Sequence, residues 1–203
     1  MRYIVTFSGG KDSEATCIWA KENLQADWEI VFCDTAWESP LTYKFMIDFE
    51  SKMGKKVNYL KSKKYKGFID LTRKKKRFAS TKGRFCTQEL KVKPMIDFIL
   101  DQVKEDCRIY QGLRWEESKN RASANKIDDY FLHYFQPIIK VDPKTGKKKE
   151  SYHTYRKKEV FEFCKHYEAT VVRPIISWTG TETIQYILDH SSIIHFMILV
   201  LAE

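Results

Sequence analysis

Ser8-Gly9-Gly10-Lys11-Asp12-Ser13 gathers more chemistry into six residues than any other stretch of the 203-residue chain. Glycines at 9 and 10 can take positive φ angles and let the backbone approach a ligand with no Cβ in the way. Lys11 supplies a mobile positive charge, and the Ser8 and Ser13 hydroxyls can donate hydrogen bonds. The apolar run before the hexapeptide, Tyr3 to Phe7, reads as a strand. The stretch after it carries Ala15, Ile18 and Trp19 at helical spacing and reads as a helix starting at about Asp12 or Ser13. A strand, a glycine turn and a helix amino terminus expose unpaired N–H groups and the positive end of the helix dipole, a setting that suits phosphate. Asp12 would repel phosphate unless it caps the helix or holds a bridging Mg²⁺ ion. The spacing matches neither G-x-x-x-x-G-K-[ST] nor G-x-G-x-x-G.

The elements that would position this turn alternate in βαβ order. Trp28 to Cys33 reads as a second strand ending at Asp34. Ser39 and Pro40 open a helix with Leu41, Phe45, Met46, Phe49 and Met53 on its apolar face, and Gly54 stops it. Val57 to Leu60 predicts a third strand, Pro94 to Lys104 a third helix and Cys107 to Leu113 a fourth strand. Lys157 to Tyr167 then predicts a helix, Val171 to Ile176 a strand, and Thr181 to His190 a last helix. The fold expected is α/β, a doubly wound, mostly parallel sheet with helices on both faces. Such sheets bind ligands beyond the carboxyl ends of their strands, where residues 8–13, Asp34 to Trp37 and Gly112 to Arg114 would converge. Asp34 at a strand end can contact a ribose hydroxyl, hold a metal or cap its own loop. Arg114 can fork onto a phosphate, Arg121 can do the same further along, and Glu117 can orient either or form an ordinary i, i+4 pair with Arg121.

Several of these stretches carry a family resemblance. Ser8 to Ser13 resembles the PP-loop of the adenine nucleotide α-hydrolase-like superfamily, which holds ATP pyrophosphatases and phosphoadenosine phosphosulfate (PAPS) reductases. Asp34-Thr35-Ala36-Trp37-Glu38 is similar to that family's Asp-Thr-Gly-Trp-Glu, with Ala36 in place of the usual glycine. Arg84-Phe85-Cys86-Thr87-Gln88-Glu89-Leu90-Lys91-Val92-Lys93-Pro94 resembles the Cys-Thr-x-Glu-Leu-Lys-x-x-Pro segment of PAPS reductase-like proteins and of the sulfurtransferases of DNA phosphorothioation. Gly112 to Ala122 and Pro174 to Trp178 match two further family stretches, so the resemblance runs from Tyr3 to about His190. It implies an adenine nucleotide, ATP or PAPS, as ligand, with Ser8, Gly9, Gly10, Lys11, Ser13, Gly112, Arg114 and Arg121 around its phosphates. Arg84 and Lys91 would be among the basic side chains there, and Asp12 or Asp34 would hold Mg²⁺.

Cysteine usage bears on which chemistry this implies. The five cysteines form no C-x-x-C pair, and none lies beyond Cys164, so neither a disulfide framework nor an iron–sulfur cluster is expected. Cys17, Cys33, Cys107 and Cys164 sit in apolar segments and read as core residues. Cys86, between basic residues, is the one internal candidate for a reactive thiolate. Reduction of a sulfated nucleotide needs an attacking thiolate and a second thiol to resolve the product. The primary expectation is therefore transfer or hydrolysis at the α-phosphate of an adenine nucleotide, with Lys11, Asp12 and Arg114 in the machinery. Reduction through Cys86 or a thiol-bearing partner protein is the alternative, and a binding module without catalysis is a third reading.

Charge points to partners. Formal net charge is +9, and nine of the seventeen residues from Lys61 to Arg77 are Lys or Arg against the single acid Asp70. With Tyr65, Phe68 and Phe78 interleaved, the segment 61–93 reads as a basic, loop-like stretch for a polyanion, either a nucleic-acid acceptor or a small phosphorylated or sulfated nucleotide. One domain spanning 1–203 is expected. The carboxyl-end run Ile193 to Ala202, where the family likeness has ended, is too short for a membrane-spanning helix and reads as a buried strand or helix. With a strand predicted at once and no room for a signal peptide, a cytoplasmic location is expected.

Overall fold

Neighbouring residues of the strands point to opposite faces of the sheet, and here both faces are apolar. A computed structural model describes residues 1–80, 83–118, 121–143 and 145–190. The reading of Ile193 to Ala202 lies outside these, as do Lys82, Lys119, Asn120 and Lys144. Among the described residues the strands are β1 (Arg2–Phe7), β2 (Trp28–Cys33), β3 (Val57–Leu60), β4 (Cys107–Gln111), β5 (Ile127–Asp129), β6 (Ile138–Val141), β7 (Lys148–Ser151) and β8 (Ala169–Val172). Six of them form one sheet in the order β3-β2-β1-β4-β8-β5, parallel except for β5, which runs antiparallel along β8. β6 and β7 make a separate antiparallel hairpin. The α/β class with a mostly parallel sheet is as expected.

On one face Val5, Phe7, Ile30 and Phe32 pack against α1 (Lys11–Asn23) and α2 (Pro40–Met53), with Phe7 stacked on Phe49 at 4.2 Å. On the other face Ile4, Val31 and Ile109 meet a long helical run, α4 (85–103), and α5 (Lys157–His166). α3 (Phe68–Lys75) lies beside a small satellite cluster of Tyr65, Leu71 and Leu90, and α6 (Gly180–Asp189) packs along α1. Ser39 caps α2 through its Oγ, Pro40 is its first residue, and Gly54 ends it in the left-handed conformation. Of the expected apolar face only Leu41 is exposed.

Several expectations need correction. The segment 61–93 is not one loop, since α3 and the first half of α4 lie within it. The third helix starts at Phe85, not Pro94. α-Helical stretches at Phe85–Thr87 and Lys93–Phe98 alternate with wider π turns at Gln88–Val92 and Ile99–Val103, so the helix runs through Pro94, which has no N–H to offer. The strand expected from Val171 to Ile176 is Ala169–Val172, and the fourth strand ends at Gln111. No helix among the described residues is long and apolar enough to cross a membrane.

One group is buried at a cost. Glu14, in the first turn of α1, is 2% exposed and its Oε1 has no hydrogen-bond partner. Burial pushes its carboxyl up to about 7, against a small opposing pull from Lys52. The folded protein therefore keeps this proton over a pH range in which the unfolded chain has lost it. Stability is at its full value below about pH 4.5 and falls as pH rises towards 7, by up to about 3 kcal/mol. Glu14→Gln is expected to leave the melting temperature nearly unchanged at pH 5 and to raise it at pH 8. Thermal unfolding at both values checks this, and equal melting temperatures for variant and wild type at pH 8 would remove Glu14 as the cause.

Candidate functional site

The turn between β1 and α1 is built by its own hydroxyls. Ser13 Oγ donates to the Gly10 carbonyl at 2.7 Å and accepts the Ser8 N–H at 3.1 Å, while the two serine hydroxyls lie 3.1 Å apart. Gly9 has φ +78°, and a Cβ there would stand 2.9 Å from Thr42 Cγ2, so glycine is needed for both conformation and space. α1 begins at Lys11, one or two residues earlier than expected, with Gly10 as N-cap and no side chain capping it. Its first amide groups are thereby left facing the end of the sheet.

The next strand end comes against this turn at very short range. A Cβ on Gly112 would lie 2.4 Å from the Asp12 carbonyl oxygen and 2.7 Å from the Ser13 nitrogen. Two residues on, Arg114 is buried, and its Nε donates to Asp12 Oδ1 at 2.8 Å. Arg114 Nη1 donates to Glu116 Oε2 at 3.0 Å, and the same oxygen accepts the Gly180 N–H at 2.9 Å. Arg114 thus ties the end of β4 to the start of α1 and the start of α6. Its side chain is spent on carboxylates of the protein, which sets it apart from the phosphate fork read from the sequence. Lys11 Nζ, 3.7 Å from Asp12 Oδ1, remains partly exposed.

The sheet changes winding direction between β1 and β4, and a cleft of about 350 Å³ opens at their carboxyl ends. Ser8, Ser13 and Gly112 line it together with Phe32, Cys33, Thr87, Lys91, Met95, Arg121 and Tyr130. Among the expected residues, the cleft therefore collects the serines of the turn, Gly112, Lys91 and Arg121. Arg121 is also paired with Glu117, whose Oε2 accepts the Arg114 N–H at 3.4 Å. Arg84 is exposed at the start of α4 and is not among the lining residues. Cys33, read as a core residue, stands on the cleft wall with its thiol towards the Lys91 carbonyl at 3.5 Å. Burial pushes that thiol up to about 11, so it is protonated at neutral pH. Its position at the last residue of β2 was the signal available for placing it here. Cys86 packs instead against the Tyr65, Leu71 and Leu90 cluster.

Asp34 is also largely occupied. Oδ1 accepts the Tyr43 hydroxyl at 2.7 Å and the Ala36 N–H at 2.8 Å, and Oδ2 is 3.4 Å from Lys61 Nζ. Burial alone would raise its pKa, but these donors and the lysine outweigh it and hold the carboxyl below its ordinary value. Among the described residues no three His, Cys, Asp or Glu side chains are grouped to hold a metal ion. With one oxygen of Asp12 on Arg114 and both oxygens of Asp34 engaged, these carboxylates do not fit a metal cage built by the protein.

The model of the phosphoadenosine phosphosulfate reductase domain matches residues 2–198. This chain belongs to that family. A protein of Methanocaldococcus jannaschii described as uncharacterized is 32% identical over 124 residues, 61% of this chain and 25% of its own length. An uncharacterized 37.8 kDa protein of Escherichia phage 186 is 29% identical over 187 residues, covering 67% of this chain and 56% of its own length. The chain thus spans a quarter of one relative and just over half of the other. The crystal structure of the PAPS reductase from Candida auris, as a phosphate complex, matches the whole chain and 78% of its own length at TM-score 0.58 and 13% identity, a likeness of fold.

Where the PAPS reductase family usually has glycine after Asp-Thr, Ala36 takes φ +51°. An L-residue pays roughly 1–2 kcal/mol to enter this region. Ala36→Gly is expected to stabilise the protein by about 1 kcal/mol, while Gly112→Ala, which forces apart two backbone segments, costs at least about 2 kcal/mol. Urea unfolding of both variants tests the pair. An unchanged midpoint for Gly112→Ala would contradict the close approach.

Proposed function

We propose that the chain binds an adenine nucleotide with its phosphates against residues 8–13 and acts at the α-phosphorus. An acceptor nucleophile attacks that phosphorus, the bond to the α–β bridging oxygen breaks, and pyrophosphate leaves with the electron pair. One observation carries this reading: Ser8 and Ser13, on either side of the uncapped start of α1, line the switch-point cleft together with Lys91 and Arg121. Fixed N–H groups and cations positioned there offset the charge that develops on the leaving pyrophosphate. Lys11, partly exposed and 3.7 Å from Asp12 Oδ1, supplies a further cation beside the turn. Asp12 and Arg114 act as positioning residues, holding α1 against β4, and Gly112 makes room for that contact. If Mg²⁺ takes part, it rests chiefly on the nucleotide's own phosphates.

Reduction of a sulfated adenine nucleotide is the second reading, favoured by the family's name. There a thiolate attacks sulfur, the bond from sulfur to the phosphate oxygen breaks, and an S-sulfonated thiol forms. A second thiol then releases sulfite and leaves a disulfide. Cys33 on the cleft wall is held protonated by burial, so the attacking thiolate comes from Cys86 after movement or from a partner protein.

The two readings separate in a panel of ATP, adenosine phosphosulfate and PAPS, each assayed for thermal stabilisation, pyrophosphate release and sulfite release in the presence of a dithiol. Stabilisation by ATP and pyrophosphate release with an acceptor are expected. Lys11→Ala is expected to lower both by about tenfold in affinity or rate, a loss of about 1.4 kcal/mol. If that variant binds and turns over ATP as the wild type does, the turn is not the phosphate site. Sulfite release exceeding pyrophosphate release would put reduction first.

A further inference from the structure

We propose that Trp37, Phe68 and Phe78, together with the cations of 61–77, form a binding surface for a single-stranded nucleic acid. Calling the strand the acceptor rests on the nucleotide reading above, whereas the surface itself does not. Trp37 is 61% exposed and Phe78 is 71% exposed, an unusual state for large aromatic side chains. They flank Phe68, which is rooted in the Tyr65, Leu71 and Leu90 cluster. Ring centres are 5.8 Å apart from Trp37 to Phe68 and 6.3 Å from Phe68 to Phe78, tilted by 31° and 45°. The three make an aromatic row with open outer faces.

The segment that carries Phe68 and Phe78 also carries the cations. Lys61, Lys63, Lys74 and Lys75 have carboxylate partners in Asp34, Asp101, Asp70 and Glu89. Lys64, Lys66, Arg73, Lys76 and Arg77 are exposed and make no ion pair among the described residues. Aromatic faces that stack bases, set among lysines and arginines that meet phosphates, are the two requirements of single-strand binding. A duplex hides its base faces. A protein partner is disfavoured because the centres of protein interfaces are poor in lysine, and here the segment that carries Phe68 and Phe78 is dense in exposed lysines and arginines.

The row also leads to the cleft. The Phe68 N–H donates to the Thr35 carbonyl at 2.8 Å, and a Cβ on Gly67 would come within 2.6 Å of Ala36 Cβ. α3 is therefore seated directly on the loop that follows β2, whose last residue, Cys33, lines the cleft. A strand lying on Phe78, Phe68 and Trp37 is led towards that mouth.

The test is fluorescence anisotropy with a labelled mixed-sequence strand of about 12 nucleotides, as DNA and as RNA, beside its duplex and polyglutamate as competitors, from about 50 mM salt upwards. The wild type is expected to bind the single strand in preference to both competitors. Trp37→Ala and Phe78→Ala are each expected to weaken it about tenfold with unchanged thermal unfolding. Lys76→Ala with Arg77→Ala should lower the slope of log affinity against log salt by about 1. No binding at the lowest salt, equal competition by duplex or polyglutamate, or unchanged affinity in both ring variants would each overturn the proposal. Stabilisation by ATP is measured alongside. Ring-dependent strand binding without ATP stabilisation leaves this surface standing and removes the nucleotide reading, and ATP stabilisation without strand binding does the reverse.

Discussion

The close approach of β4 to the first turn of α1 is the constraint on which the site depends. Gly112 permits it, because any side chain there would collide with the Asp12 and Ser13 backbone. The Arg114–Asp12 pair then locks it from the buried side. A buried pair of this kind contributes little net stability, since desolvation offsets most of the attraction, but loss of one partner leaves a bare charge and costs about 3–5 kcal/mol. Its consequence is geometric. By anchoring Asp12, Arg114 sets the direction in which the α1 amide groups point, and through Glu116 and Gly180 it carries the same anchorage to α6. The cleft walls and the α1 amino terminus are therefore one unit.

Charge in this protein is divided between two roles. The cations inside the fold are neutralised one by one: Arg114 by Asp12 and Glu116, Arg156 by Asp97 and Asp101, Arg173 by Asp128. The surplus lies outside, along α3 and around the cleft at Lys91. Interior pairs fix backbone geometry and are screened little by salt, whereas the exterior surplus acts over about a Debye length and weakens as salt rises. An anion arriving at the cleft meets a field set by exposed lysines before it meets the fixed donors of the turn.

Much of this was readable from the chain, and the unreadable parts have physical reasons. The glycine turn, β1 to β4 and both ends of α2 declared themselves, because two glycines, short continuous apolar runs and a Ser-Pro start are local signals. α3 did not, because Leu71 and Thr72 are its only buried residues and lysines hide its period. β5 is a three-residue edge strand whose pairing with β8 comes from tertiary contact, and β6 and β7, four residues each, are too short to show a pattern. Arg114 had the right neighbourhood but not its role: nothing in a sequence distinguishes an arginine that meets a phosphate from one that meets a buried aspartate 102 residues away. Cys33 shows the same limit. An apolar strand can end in a residue that leaves the core and lines a cleft.

The thiols and the open side of the cleft bear on each other. Cys33 is a cysteine on the cleft wall, yet burial holds it as a neutral thiol, a poor nucleophile, against the opposing pull of the Lys91 charge. Cys86 is turned into an apolar cluster one residue before Thr87, which does line the cleft. Oxygen and nitrogen acceptors, unlike an internal thiolate, need no cysteine from this chain. They need a route in and a leaving group stabilised on the far side. In the reading proposed above, the α1 amino terminus would answer the second need, and the aromatic and basic face that begins at Trp37 would answer the first. With Cys33 protonated and Cys86 in an apolar cluster, the proposed chemistry would depend on an attacking group that arrives from outside the chain.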